Sequence, residues 1–146
     1  MNSAEKQFFG LTIDAGKNRS LLTLNKEALE NNIFEHGIVL LRGFLAMDNK
    51  EMSEFAQQFG DLLEWDFGHV LELQVRSKPD NHIFSQGRVE LHWDGAFASA
   101  VPKFNFFQCV EGSAVTGGGE TTFLNTVKFL ASLPEDNRHE LTNIIV

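Results

Sequence analysis

Phe9, Leu11 and Ile13 alternate with Gly10 and Thr12, a period of two that predicts a strand over 8–14. The period then lengthens. Leu29 and Ile33 stand four apart behind Asn25, a good N-cap, and ahead of Gly37, a natural stop, which predicts a helix over 26–36. Ile38–Leu41 is uninterruptedly apolar and reads as a fully buried strand. A second helix is announced by Asp48 with Glu51 three residues later, the form of a capping box. Its apolar stripe is Met52, Phe55, Ala56 and Phe59, and Gly60 ends it. The periodicity marks that stripe as core packing.

Beyond residue 60 the pattern turns towards strands. Val70–Arg76, Glu90–Asp94, Lys103–Val110 and Thr121–Leu124 all read as extended, the third with Phe104, Phe106 and Gln108 on one face. Residues 77–81 carry the Pro and Asx chemistry of a turn, and 112–119 is a glycine-rich loop. Asn125 or Thr126 caps a short helix that stops at Pro134, and 135–145 predicts another, with Leu141, Ile144 and Ile145 apolar. Helices come first, then strands, then helices, in one piece without repeats. That order disfavours a parallel doubly wound sheet and favours a mostly β, α+β or jelly-roll architecture.

Composition narrows the function classes. At 146 residues, 42% hydrophobic and 22% charged, the chain is one ordinary domain with enough apolar residues for a core. Its formal charge of −8 argues against nucleic acid or an anionic membrane, both of which demand clustered Lys and Arg. The longest clean apolar run falls far short of the roughly 20 residues a bilayer needs, and the first residues lack a secretory pattern. Cys109 stands alone, so there is no disulfide framework, and a cytoplasmic address is the default expectation.

The candidate chemistry lies in Leu91-His92-Trp93-Asp94-Gly95. On an extended backbone residues i and i+2 point the same way, so His92 and Asp94 can aim an imidazole nitrogen and a carboxylate oxygen at one point while Trp93 packs on the other face. That pair is two-thirds of the facial triad that holds non-haem Fe(II). By itself the triplet reads first as a surface His and Asp sharing a hydrogen bond. Downstream, Gly117-Gly118-Gly119-Glu120-Thr121-Thr122-Phe123 runs a glycine loop into a predicted strand. It is no phosphate loop, since no Gly-Lys-Ser/Thr follows, and Thr122 stands where a dinucleotide fingerprint needs its last glycine. A threonine hydroxyl at the strand entry can donate to a carboxylate.

Taken together, His92-Trp93-Asp94-Gly95, Pro102, Phe106-Phe107-Gln108-Cys109 and Gly118-Gly119-Glu120-Thr121-Thr122-Phe123 resemble the TauD/TfdA family of Fe(II)/2-oxoglutarate-dependent oxygenases. The wording is most similar to its members associated with isocyanide (isonitrile) natural-product biosynthesis, the pyoverdine/paerucumarin-cluster type. The part around Cys109 and Gly119 also resembles amino-acid β-hydroxylases of the family. The resemblance implies an incomplete double-stranded β-helix (jelly roll) with flanking helices, His92 and Asp94 as iron ligands, and Thr121 as the donor to the far carboxylate of 2-oxoglutarate. It implies hydroxylation, desaturation or oxidative decarboxylation of a small amino-acid-derived metabolite by O2.

The family also uses a second histidine ligand and an arginine that pairs with 2-oxoglutarate, both late in its chains and past residue 146. His36, His69, His82 and His139 read as surface or supporting residues instead. A jelly roll needs about eight strands and the pattern offers about six extended segments. The expectation is therefore that 1–146 is the N-terminal portion of one oxygenase domain, inactive or nearly so, with sheet edges open to homo-oligomerisation. The competing expectation is a non-catalytic binding or oligomerisation module that keeps half of the fold.

Overall fold

The computed structural model describes residues 9–74, 89–95, 100–112 and 121–142. The chain divides into two compact units, one of Gly10–Gly112 and one of Ser113–Val146 together with the first nine residues. The predicted turn at 77–81, the glycine loop over 113–119, and the outer ends of the strands at 8 and 76 and of the last helix lie outside the described residues.

In the larger unit, β1 (Leu11–Arg19) pairs in parallel with β2 (Val39–Phe44), Leu11 opposite Val39 through Asp14 opposite Arg42. Parallel neighbours cannot be joined by a tight turn, and α1 (Lys26–His36) supplies the crossover after a short 3₁₀ turn at Leu21–Thr23. The order of elements disfavours a doubly wound sheet. Among the described residues, what forms is one parallel pair across one helix.

The pairing slips between Asp14 and Arg19. Gly16 and Asn18 take positive φ there, 82° and 57°, and the Asp14 carboxylate accepts the Gly16 N–H at 2.8 Å. Gly43 crosses this bulge at φ 75°, and a Cβ on it would run into the Gly16 carbonyl oxygen. Gly43→Ala therefore combines a left-handed backbone with a main-chain clash and is expected to cost about 3 kcal/mol. Urea unfolding checks this; an unmoved midpoint would mean the two backbones do not meet.

β2 corrects one expectation. It is half-buried to exposed along its length rather than fully buried, with Leu40 46% exposed. A strand is enclosed on both faces only when layers cover both, and among the described residues one face of β2 stays open.

The helices begin where their caps dictate. Asn25 Oδ1 accepts the Ala28 N–H at 2.8 Å, and Gly37 at φ 77° closes α1 by donating to the Ile33 carbonyl at 2.7 Å. α2 (Asn49–Gln57) has the capping box complete: Asp48 accepts from the Glu51 N–H at 2.8 Å and Glu51 accepts from the Asp48 N–H at 3.0 Å. Phe59 falls just past its end, in a turn. In the smaller unit, Asn125 caps α3 (Thr126–Ser132) by accepting the Lys128 N–H at 2.9 Å, and α4 (Glu135–Thr142) follows Pro134.

The core of the larger unit is aromatic. Leu29 and Phe55, each 4% exposed, are its most enclosed residues. Phe55 meets Phe59 and Phe106 edge-on at 5.4 and 5.7 Å, and Phe59 meets Phe104 and Phe106 at 5.9 and 5.2 Å. Such rings attract beyond their buried area. Phe34 of α1 joins through Phe104 at 5.8 Å. The stretch 102–109 thus packs its even-numbered residues inward and leaves Lys103, Asn105, Phe107 and Cys109 exposed. Two polar fasteners hold it. Gln108 donates to the Met47 carbonyl and accepts the Met47 N–H, both at 2.8 Å. Lys103 pairs with Glu30 at 3.1 Å while lying over Phe34 and Phe104.

The alternation over 103–110 therefore reports the correct inward face, yet the stretch forms no ladder. Residues 70–74, 90–94 and 121–124 likewise have no strand pairing. Period two states which way side chains turn and says nothing of whether a neighbouring backbone is there to pair.

Candidate functional site

His92, Trp93 and Asp94 lie in the larger unit on an exposed stretch that turns at Gly95, φ 86°. Their i, i+2 spacing brings the two polar side chains together: His92 Nε2 stands 3.4 Å from Asp94 Oδ1. The other ring nitrogen, Nδ1, lies 2.7 Å from the Glu90 carbonyl oxygen. A carbonyl only accepts, so Nδ1 carries a proton. In the neutral ring Nε2 is then a lone pair facing a carboxylate oxygen. A proton on Nε2 or a metal ion would each favour that approach.

The proton is favoured by the surroundings of the ring. His92 is raised above its ordinary value, chiefly by the Glu90 main-chain hydrogen bond, which outweighs an opposing desolvation, with the charge and hydrogen bond of Asp94 adding smaller shares. A raised imidazole holds its proton to higher pH, so a metal ion competes better as pH rises through the imidazole range. Asp94→Asn removes the carboxylate and leaves the Glu90 contact. The His92 midpoint should fall by NMR titration without losing all of its elevation; an upward move would contradict this pairing.

The geometry suits a metal as well. Two adjacent ligands about 2.1 Å from one ion lie about 3.0 Å apart, close to the observed separation. An imidazole and a carboxylate are also the donors that non-haem iron takes. The pair is two donors, and among the described residues no three His, Cys, Asp or Glu side chains gather as a metal site. Trp93 departs from expectation. It is 64% exposed rather than packed behind the pair.

The remaining candidates are placed as follows. Thr121 is exposed in the smaller unit, four residues ahead of the Asn125 cap of α3. His36 ends α1 beside Glu35, and His139 is exposed on α4. His69 Nδ1 contacts the Leu63 carbonyl at 3.0 Å beside a tight turn that stacks Trp65 on Phe67. His82 is outside the described residues. The group that residue-type reasoning misses is the Glu90 carbonyl, because a main-chain oxygen has no signature in sequence. Among the described residues no helix is long and apolar enough to cross a membrane.

Comparison with known proteins places these residues in context. The model of the Taurine catabolism dioxygenase TauD, TfdA family matches residues 3–145. The chain is 41% identical over 131 residues to a 3-((Z)-2-isocyanoethenyl)-1H-indole synthase of Fischerella ambigua, covering 89% of this chain and 48% of that protein. It is 40% identical over 95 residues to a tyrosine isonitrile desaturase of Erwinia amylovora, covering 64% and 32%. To the tyrosine isonitrile desaturase of Pseudomonas aeruginosa it is 37% identical over 120 residues, covering 81% and 41%. The chain thus spans less than half the length of these curated relatives. No solved structure matches it at a significant level. A family match that runs over nearly every residue has one reading: the chain belongs to the TauD/TfdA family.

Proposed function

We propose that this chain is part of an Fe(II)/2-oxoglutarate-dependent oxygenase in which His92 and Asp94 are two of the iron ligands. The observation that carries the reading is the 3.4 Å approach of His92 Nε2 to Asp94 Oδ1, with Nδ1 turned away to a carbonyl. The chemistry supplied with the metal bound is oxidation of a small molecule by O2, coupled to decarboxylation of 2-oxoglutarate. The chain's own residues bind and orient. His92 offers a nitrogen lone pair, Asp94 offers the anionic oxygen a dication demands, and the Glu90 carbonyl fixes the ring. Thr121 is the hydroxyl donor to a carboxylate of 2-oxoglutarate.

Residues 1–146 are the first portion of one oxygenase domain, with a further ligand and the arginine for 2-oxoglutarate supplied from outside them. Support comes from the share of each relative that is matched. Family membership implies a jelly roll, and the helices and aromatic packing of 10–112 are its expected flank. The relatives' names favour desaturation as the outcome and an isonitrile derived from an aromatic amino acid as the substrate.

Trp93, between the two ligands and exposed, is a built-in reporter beside one other tryptophan, Trp65. Anaerobic addition of Fe(II) should quench its fluorescence saturably, and 2-oxoglutarate should tighten the response. A Trp93 signal indifferent to Fe(II), with and without 2-oxoglutarate, would overturn the reading.

A further inference from the structure

The stretch 103–110 uses one of its sides and leaves the other open. Phe104 and Phe106 turn inward onto Phe55 and Phe59, and Gln108 onto the Met47 main chain. Phe107, 67% exposed, and Cys109 turn outward. Among the described residues, no main-chain N–H or C=O of 103–110 has a main-chain partner. An extended backbone held by its side chains, with its own donors and acceptors free, is an edge on which a further strand can pair.

The letters say which strand fits. Residues 104–110 carry no charge, no proline and no glycine, the composition of segments that pair with copies of themselves. Lys103 stands just ahead of them and Glu111 just behind. In a second copy turned antiparallel about Phe107, Glu111 comes opposite Lys103 and Lys103 opposite Glu111. On the same outward face the two Phe107 rings meet at the axis, and Asn105 meets the second copy's Cys109. A one-residue slip would set inward side chains against outward ones, and a two-residue slip would lose both ion pairs. The chain carries a formal charge of −8, which makes copies repel elsewhere. Here opposite charges face each other.

We propose that 103–111 is a homodimerisation strand, pairing antiparallel with the same strand of a second copy about a two-fold axis at Phe107. The contact is isologous, so each complementary pair occurs twice. Lys103 already meets Glu30 at 3.1 Å, but its exposed ammonium has three donors and can take a second carboxylate. The strand uses neither His92 nor Asp94, so dimerisation stands or falls apart from the oxygenase reading, which Fe(II) quenching decides.

Sedimentation equilibrium of the 146-residue chain reads the association. The expected result is a monomer–dimer equilibrium that Phe107→Ala weakens about tenfold by removing the aromatic pair on the axis. Glu111→Lys opposes lysine to lysine and Lys103→Glu opposes glutamate to glutamate, so each alone should weaken it by about tenfold. An equimolar mixture of those two variants should associate again, because every lysine then faces a glutamate.

A second measurement leaves these contacts intact, which matters because Lys103→Glu also sets a carboxylate beside Glu30. Opposed residues of antiparallel strands lie within disulfide reach. Asn105→Cys should therefore let oxidised glutathione link two copies through positions 105 and 109, and Asn105→Cys combined with Cys109→Ser should not link. A chain that sediments as a monomer at high-micromolar concentration overturns the proposal and leaves the strand to the remaining portion of the domain. A dimer indifferent to Phe107, Lys103 and Glu111, or one that links equally well without Cys109, overturns it too.

Discussion

His92→Ala is expected to weaken Fe(II) binding at least about 100-fold, more than the 10- to 100-fold that groups one layer out from a metal are worth. In practice the Trp93 quenching should stop saturating. The expectation follows from how few donors are present. With imidazole and carboxylate meeting at 3.4 Å, the proposed site grips an ion through both donors together. Asp94→Ala should do as much damage, because it removes the anionic one of the two proposed donors. The double variant should be little worse than either single one, since a lone donor grips almost as poorly as none, and partners in one site are not additive. Calorimetry or fluorescence on the three variants decides it. Affinities that fall by independent, multiplying factors would show that the two side chains do not share an ion.

Phe55→Ala should unfold the larger unit more readily than any other single truncation. Phe55 is one of its two most enclosed residues, and its ring touches both Phe59 and Phe106. Removing it strips the edge contacts from those rings and leaves a void between α2 and the 102–109 stretch. Phe-to-Ala changes in cores cost about 3–5 kcal/mol, against a total stability of about 5–15 kcal/mol for an ordinary domain. Phe55→Leu, which keeps most of the volume, should cost less than half as much. The measurement is urea unfolding followed by Trp fluorescence. A loss under about 1 kcal/mol would mean that the aromatic cluster is not the centre of this unit.

Where the sequence spoke clearly, the signal was local. Asn25, the Asp48–Glu51 box and Asn125 are caps whose partners lie within three residues, and each helix starts where its cap stands. The convergence of His92 and Asp94 was legible for the same reason, since a two-residue spacing is a backbone property.

What was hidden depended on distant or nameless groups. Ile38–Leu41 looked enclosed because it is apolar, but enclosure is decided by what covers a strand, and Leu40 is open. The inward face of 103–110 was readable and its lack of a ladder was not, because pairing needs a second backbone at the right place. The parallel partnership of β1 and β2 arises from a helix folding back, which no alternation encodes. The Glu90 carbonyl is shared by every residue type and left no mark in the letters.

The Gln108 side chain, joined to both main-chain groups of Met47, acts across 61 positions. With the Phe55–Phe106 contact and the Lys103–Glu30 pair it stitches a long loop, and residues 89–95 lie inside that loop. Closing a loop of this length costs chain entropy that grows only slowly with further residues, so the stitch sets when the whole interval is gathered in. The Met47 amide proton should then exchange with solvent only when that stitch parts. Its exchange rate becomes a clock for how often Gln108 parts from the chain just ahead of α2.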